Sequence, residues 1–169
     1  MFKSSKQGFT LIEILVVVAI IALVGTFSAV AVNSARSKQR DATRLSNLRL
    51  VQSALEDYFN ENNSYPSGNL LPLGDVSQSA CLSLSGFRSD CSSEEAVFLR
   101  RVPRTYEDGL DGKVTCGEPA RNAFCYSVLK EGDSYVIHFE LENGLTAVGL
   151  QTGVNCATPD GMEAGVCAE

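Results

Sequence analysis

Gly8-Phe9-Thr10-Leu11-Ile12-Glu13 opens an apolar run that reaches Val32, and this stretch decides how the chain is read. From Ile14 to Ala35 no residue is charged. A helix of about 20 apolar residues crosses a bilayer core, so the run is long enough to span one. Glu13 stands at its near end. A carboxylate at a helix centre in lipid costs on the order of 2.5–3.5 kcal/mol on insertion scales, and less near the interface. A charge kept there is therefore read as functional by default. A short basic leader, residues 1–8 with Lys3 and Lys6, precedes the run. An ordinary secretory signal is cut after its apolar stretch, beside small residues. Here the candidate cut, between Gly8 and Phe9, lies before it. Cleavage there leaves the apolar helix on the mature chain, with a new amine at Phe9 one turn from Glu13.

The segment Gly8-Phe9-Thr10-Leu11-Ile12-Glu13-Ile14-Leu15-Val16-Val17-Val18-Ala19-Ile20-Ile21 resembles the class III leader of type IV pilins and type II secretion pseudopilins. Leader length, glycine, phenylalanine, glutamate spacing and the following apolar run all agree with it. The resemblance implies that a membrane-embedded prepilin peptidase cleaves after Gly8 and that the new amine of Phe9 is methylated. It also implies that Glu13 neutralises the amine of a neighbouring subunit during filament assembly. Many relatives in that family carry a proline midway along the apolar helix, where this chain has Val30. A kink would have to come from Gly25 or from packing. The competing reading of the same residues is an uncleaved signal anchor with Glu13 snorkelling to the interface. Charge alone does not orient the span, because Arg36, Lys38 and Arg40 follow it while Lys3 and Lys6 precede it.

The cysteines orient it better. All six, Cys81, Cys91, Cys116, Cys125, Cys156 and Cys167, lie beyond the apolar run. An even number in an exported domain points to disulfides, with fifteen possible pairings for six. Pairing of sequence neighbours is the reading preferred: Cys81 with Cys91, Cys116 with Cys125, Cys156 with Cys167. Each would close a short loop and stabilise by about 2–4 kcal/mol. Free buried thiols are the alternative. Metal binding is weaker, because no Cys-x-x-Cys pair occurs and His138 is the only histidine. The 169 residues leave room for one small domain after the helix. The net charge of -6 argues against a general nucleic-acid binder.

Arg36 to Asn62 contains no proline or glycine. Leu45, Leu48, Leu55 and Phe59, joined by Val51 and Tyr58, make one apolar stripe interrupted by Gln52, with Arg44, Arg49, Glu56 and Glu61 off it. The helix should end at Asn62-Asn63-Ser64-Tyr65-Pro66, since Pro66 pushes Tyr65 to an extended conformation. The expected division is a leader over 1–8, a membrane and assembly helix over 9–35, an amphipathic half over 36–63 and a head over 64–169. Within the head, a loop to about Asn122 carries a short helix from Ser92 or Ser93 through Leu99. Strands follow at Phe124 to Leu129, Tyr135 to Leu141 and Leu145 to Leu150, with turns at Glu131-Gly132-Asp133 and Glu142-Asn143-Gly144. In the middle strand Tyr135, Ile137, Phe139 and Leu141 alternate with Val136, His138 and Glu140, so one face should be buried. The tail from Thr152 closes as a disulfide loop. The fold class is α+β: a long N-terminal helix packed against a small antiparallel sheet. Arg40-Asp41-Ala42-Thr43-Arg44, Leu48, Ala54-Leu55, Tyr58 and Asn63-Ser64-Tyr65-Pro66 extend the resemblance to about residue 66.

Other sites are weaker. Arg36, Lys38, Arg40 and Arg44 form a basic band just past the span, read first as an anchor to anionic headgroups. Salt bridges between subunits, to Asp41 or Glu56 of a neighbour, are the alternative. The acidic glycine-bearing runs Asp108 to Gly112 and Pro159 to Glu163 read as turns. Asp160 and Glu163 are weak calcium candidates, because several oxygens must converge on that ion. His138 should be exposed, and Asn62-Asn63-Ser64 fits a glycosylation acceptor of low specificity. No catalytic signature and no cofactor motif stands out. The expectation is a structural subunit of a type IV pilus, serving adhesion, motility or DNA uptake. Its partners would be copies of itself, prepilin peptidase, an inner-membrane platform with its ATPase, and membrane lipid. It would wait in the inner membrane before moving to an extracellular pilus. The alternative is a pseudopilin in a periplasmic pseudopilus. A membrane-anchored extracytoplasmic binding domain or enzyme is the outside reading.

Overall fold

A computed structural model describes residues 8–94, 96–105 and 108–167. Lys3 and Lys6 of the leader lie outside the described residues. The chain divides into two compact units, Met1–Arg36 and Ser37–Glu169. One helix, α1 (Leu11–Asn62), is 52 residues long and continues through Gly25 and Val30. It is long and apolar enough to cross a membrane, and none of its most apolar window is buried. Its C-terminal end has a local cause. Asn63 adopts a left-handed conformation at φ 54°, and its N–H donates to the Phe59 carbonyl at 2.7 Å. This is the αL cap, which asparagine tolerates better than most residues. The Asn62 side-chain amide donates to the Tyr58 carbonyl at 3.0 Å.

Among the described residues the second unit holds ten strands: β1 (Leu71–Pro72), β2 (Cys81–Ser83), β3 (Gly86–Arg88), β4 (Val97–Leu99), β5 (Thr115–Cys116), β6 (Arg121–Asn122), β7 (Cys125–Leu129), β8 (Ser134–Leu141), β9 (Gly153–Thr158) and β10 (Gly161–Ala164). The main sheet runs β1-β7-β8-β9-β10, antiparallel throughout. A second sheet runs β3-β2-β4, and β5 pairs with β6. Leu45, Leu48, Val51, Leu55 and Tyr58 of the helix share one buried cluster with Phe124, Tyr126, Tyr135, Ile137, Phe139 and Leu141. This is an α+β, pilin-like architecture, the apolar stripe of a long helix covered by antiparallel strands. The polar gap at Gln52 is filled, since its side chain donates to the Thr158 carbonyl at 2.9 Å.

Several elements differ from the sequence reading. Leu145 to Leu150 is not a strand. Residues Thr146–Val148 make a 3-10 turn closed by Gly149 at φ 78°, and Leu145 and Leu150 exchange hydrogen bonds of 2.9 and 3.1 Å across it. The third long strand is β9, so the tail is a disulfide-closed hairpin of β9 and β10 rather than a loop. The expected helix at 92–99 is one turn followed by β4, and its Glu95 lies outside the described residues. Pairing to β2 wins here: Leu82 faces Leu99, Ser83 faces Val97, and the Leu84 N–H donates to the Ala96 carbonyl at 3.0 Å. Phe98 then packs edge-on to Tyr58 at 5.6 Å. β8 is not half-buried but covered on both sides, with Val136 and Glu140 buried and His138 partly so. Glu140 accepts the N–H of Asp111 and of Lys113 at 2.8 Å and the Asn122 amide at 2.9 Å. These bonds fold the 111–122 segment over the outer face.

Candidate functional site

The N-terminal segment is built by its own side chains. Thr10 precedes the first helical residue and caps it: the Glu13 N–H donates to Thr10 Oγ1 at 3.3 Å, and the Thr10 N–H donates to Glu13 Oε2 at 3.4 Å. That reciprocal pair is a capping box, and it was readable as Thr-x-x-Glu. It satisfies two amides that a helix start leaves open. Acceptance from the Thr10 amide holds Glu13 near Phe9 and the preceding backbone. Phe9 is exposed, as are Thr10 and Glu13. A Cβ added at Gly8 would meet nothing within 4 Å. No crowding demands glycine there.

The basic band divides. Arg36 and Lys38 are exposed. Arg40 and Arg44 are committed to a charge network, which corrects their reading as lipid anchors. Arg40 donates two 2.7 Å bonds to the two oxygens of Glu142. Arg44, 1 % exposed, donates to Asp41 Oδ1 at 2.9 Å, to Glu142 Oε1 at 2.7 Å and to the Asp108 carbonyl at 2.7 Å. Asp41 accepts the backbone N–H groups of Glu142 and Asn143 at 2.9 and 2.8 Å. It is therefore engaged within its own chain rather than offered to a neighbour. Glu56 likewise accepts the Tyr65 hydroxyl at 2.9 Å. Two guanidiniums and two carboxylates thus fasten the helix to the turn after β8.

The bond from Arg40 holds the Glu142 carboxyl below the usual carboxylate range, with burial opposing and the Arg44 bond adding to it. A carboxyl depressed in the fold stabilises above the ordinary glutamate value of about 4.3. That contribution is lost as pH falls through the lowered value. We expect the difference in Tm between the native chain and Glu142→Gln to be constant near neutral pH and to shrink below about pH 4. Parallel Tm profiles across that range would contradict the linkage.

The six cysteines are joined as Cys81–Cys91, Cys116–Cys125 and Cys156–Cys167, with Cα separations of 6.2, 5.8 and 5.7 Å. Asp160 is exposed between β9 and β10, and Glu163 is exposed on β10. Among the described residues no three histidine, cysteine or acidic side chains gather as a metal-holding group.

With this geometry in view, residues 3–29 match the family model of the prokaryotic N-terminal methylation motif. No curated protein and no solved structure matches the chain. The motif is the class III leader of type IV pilins and pseudopilins, and the pilin-like fold carries it on an exposed apolar helix. This motif and the apolar helix that carries it fit a membrane-anchored precursor. That leader implies peptidase processing and assembly by a dedicated machine.

Proposed function

We propose that this chain is a structural subunit of a type IV pilus, cleaved between Gly8 and Phe9, methylated at Phe9 and polymerised through its N-terminal helix. The supporting observation is the exposed helix itself. Every residue from Ile14 to Ala35 is exposed, and none is charged. Such a surface is stable only in lipid or against other apolar helices, since burying it gains about 25 cal/mol per Å² relative to water. Lipid serves the stored precursor and neighbouring helices serve the filament. Moving from one to the other leaves Glu13 in an apolar environment, where the Phe9 amine of an adjacent copy compensates it. Arg36 and Lys38 lie at headgroup level in the precursor. The three disulfides suit a fibre displayed outside the cell, where oxidising conditions keep them closed.

Mass spectrometry of the purified protein tests this reading. The expected product begins with a methylated Phe9. Polymerised material that still carries Met1 would refute it. Electron microscopy of sheared surface fibres then assigns the compartment. Localisation to the periplasm, with no surface fibre, would place the chain in a pseudopilus instead.

A further inference from the structure

The second unit has a recess of about 1010 Å³. The chain as a whole carries -6, yet Arg100, Arg101, Arg104 and Arg121 all line this one recess. Among the described residues Asp75 is the only acidic one in its lining, and it is already occupied. Arg121 Nη2 lies 2.5 Å from Asp75 Oδ2, and Ser77 also donates to Asp75 through its hydroxyl and its N–H. Among the described residues no carboxylate forms an ion pair with Arg100, Arg101 or Arg104.

The recess is held in shape. Val102 is buried, and its N–H donates to the Ala80 carbonyl at 2.8 Å, which pins the arginine-bearing segment to the body. Gly74, at φ +77°, lets that segment come close: an added Cβ would lie 2.7 Å from Arg104 Cγ and 2.8 Å from the Pro103 carbonyl. Leu73 beneath it is buried, with its N–H on the Phe124 carbonyl at 2.9 Å. The three exposed guanidiniums are therefore presented on a fixed wall.

The chemistry of the lining selects a ligand. Guanidinium forks match planar carboxylates and tetrahedral oxyanions such as phosphate or sulfate, two bonds at a time. The lining also holds neutral hydrogen-bonding groups, Asn47 from the helix and Ser89, which suit hydroxyls. Among the described residues no aromatic side chain lines the recess, so these residues offer nucleic-acid bases no stacking platform. The net negative charge also disfavours a long polyanion. The volume is that of a small-molecule site, on the scale of 300–1,000 Å³.

We propose that the recess bounded by Arg100, Arg101, Arg104 and Asn47 binds an acidic oligosaccharide, through its carboxylate or sulfate groups and the hydroxyls beside them. This rests on the surface-fibre reading only for its biological setting, because binding is a property of the unassembled chain.

The test uses full-length protein in detergent. It is titrated in parallel with a heparin-derived hexasaccharide, an oligogalacturonate, inorganic phosphate and a single-stranded oligonucleotide. At least one saccharide should bind saturably, with an affinity that falls as salt is raised. The double variant Arg100→Glu/Arg101→Glu should weaken that binding at least tenfold, with Tm unchanged because both side chains are exposed. Asn47→Ala should weaken the saccharide but leave phosphate binding as it was. Arg49→Glu, an exposed charge change elsewhere on the helix, should alter affinity less than twofold. The proposal is overturned if no saccharide saturates, if the double variant binds as the native chain does, if phosphate competes at equal concentration, or if the oligonucleotide binds more tightly. N-terminal mass spectrometry of the same sample reports separately on the filament reading.

Discussion

Arg44→Ala is expected to lower the stability of the 37–169 unit by about 3–5 kcal/mol, the cost of removing one partner from a buried ion pair. In a unit of this size that corresponds to a fall in Tm on the order of 10 °C. The size of the effect follows from what is left behind. Asp41 and Glu142 both point at the Arg44 guanidinium, and the Asp108 carbonyl accepts from it too. Truncation leaves two carboxylates close together in a site with little access to water, with Arg40 alone to balance them. Arg40→Ala should do less, because its side chain is 32 % exposed and water can take over. Arg44→Lys should fall between, since a single ammonium cannot reproduce three directed bonds. Thermal unfolding of the full-length protein measures all three. A Tm shift for Arg44→Ala below about 2 °C would mean that the network positions the helix without stabilising it.

The same network shows where reading the sequence stops. The helix was legible, because its causes are local: an apolar run, a stripe at helical spacing, and a stop before Pro66. β7 and β8 were legible from alternating aromatic and aliphatic residues. Arg44 reads as lying off the stripe because a charge is normally solvated. Its partner Glu142 is 98 positions away, and no local pattern links them. Glu140 falls among the alternate positions of the strand pattern, and nothing local marks it as buried, since the amides that bind it belong to the distant 111–122 segment. β9 hid behind weak strand formers. Gly153 and Asn155 are poor strand residues, yet Asn155 is fully buried and bonded through its amide to Gln151 and to Gly153. Local side-chain bonds and pairing with β8 and β10 satisfy what strand propensity counts against. At the N-terminus the balance was reversed: Gly8, Phe9 and Glu13 stood out in the sequence because the fold gives them no packing role.

Glu13→Gln is expected to abolish filament assembly while leaving the helix start and the 37–169 unit folded. The choice of glutamine separates two roles that Glu13→Ala would remove together. In the capping box the side chain needs only an acceptor oxygen for the Thr10 N–H, and glutamine supplies one. Compensation of a cationic amine from an adjacent copy needs the negative charge, and glutamine lacks it. Thr10→Ala is the complement: it weakens the cap by about 0.5–2 kcal/mol but keeps the carboxylate, so filaments should still form. Assembly is scored by the yield of sheared fibres, with N-terminal mass spectrometry confirming cleavage after Gly8 in each variant. If Glu13→Gln gives fibres at the native yield, the carboxylate acts only as a cap and register must come from packing. If Thr10→Ala loses fibres as completely as Glu13→Gln, the local geometry of the helix start governs assembly rather than charge. Loss confined to Glu13→Gln, with cleavage and Tm intact, isolates the anion as the group that admits a subunit to the stack.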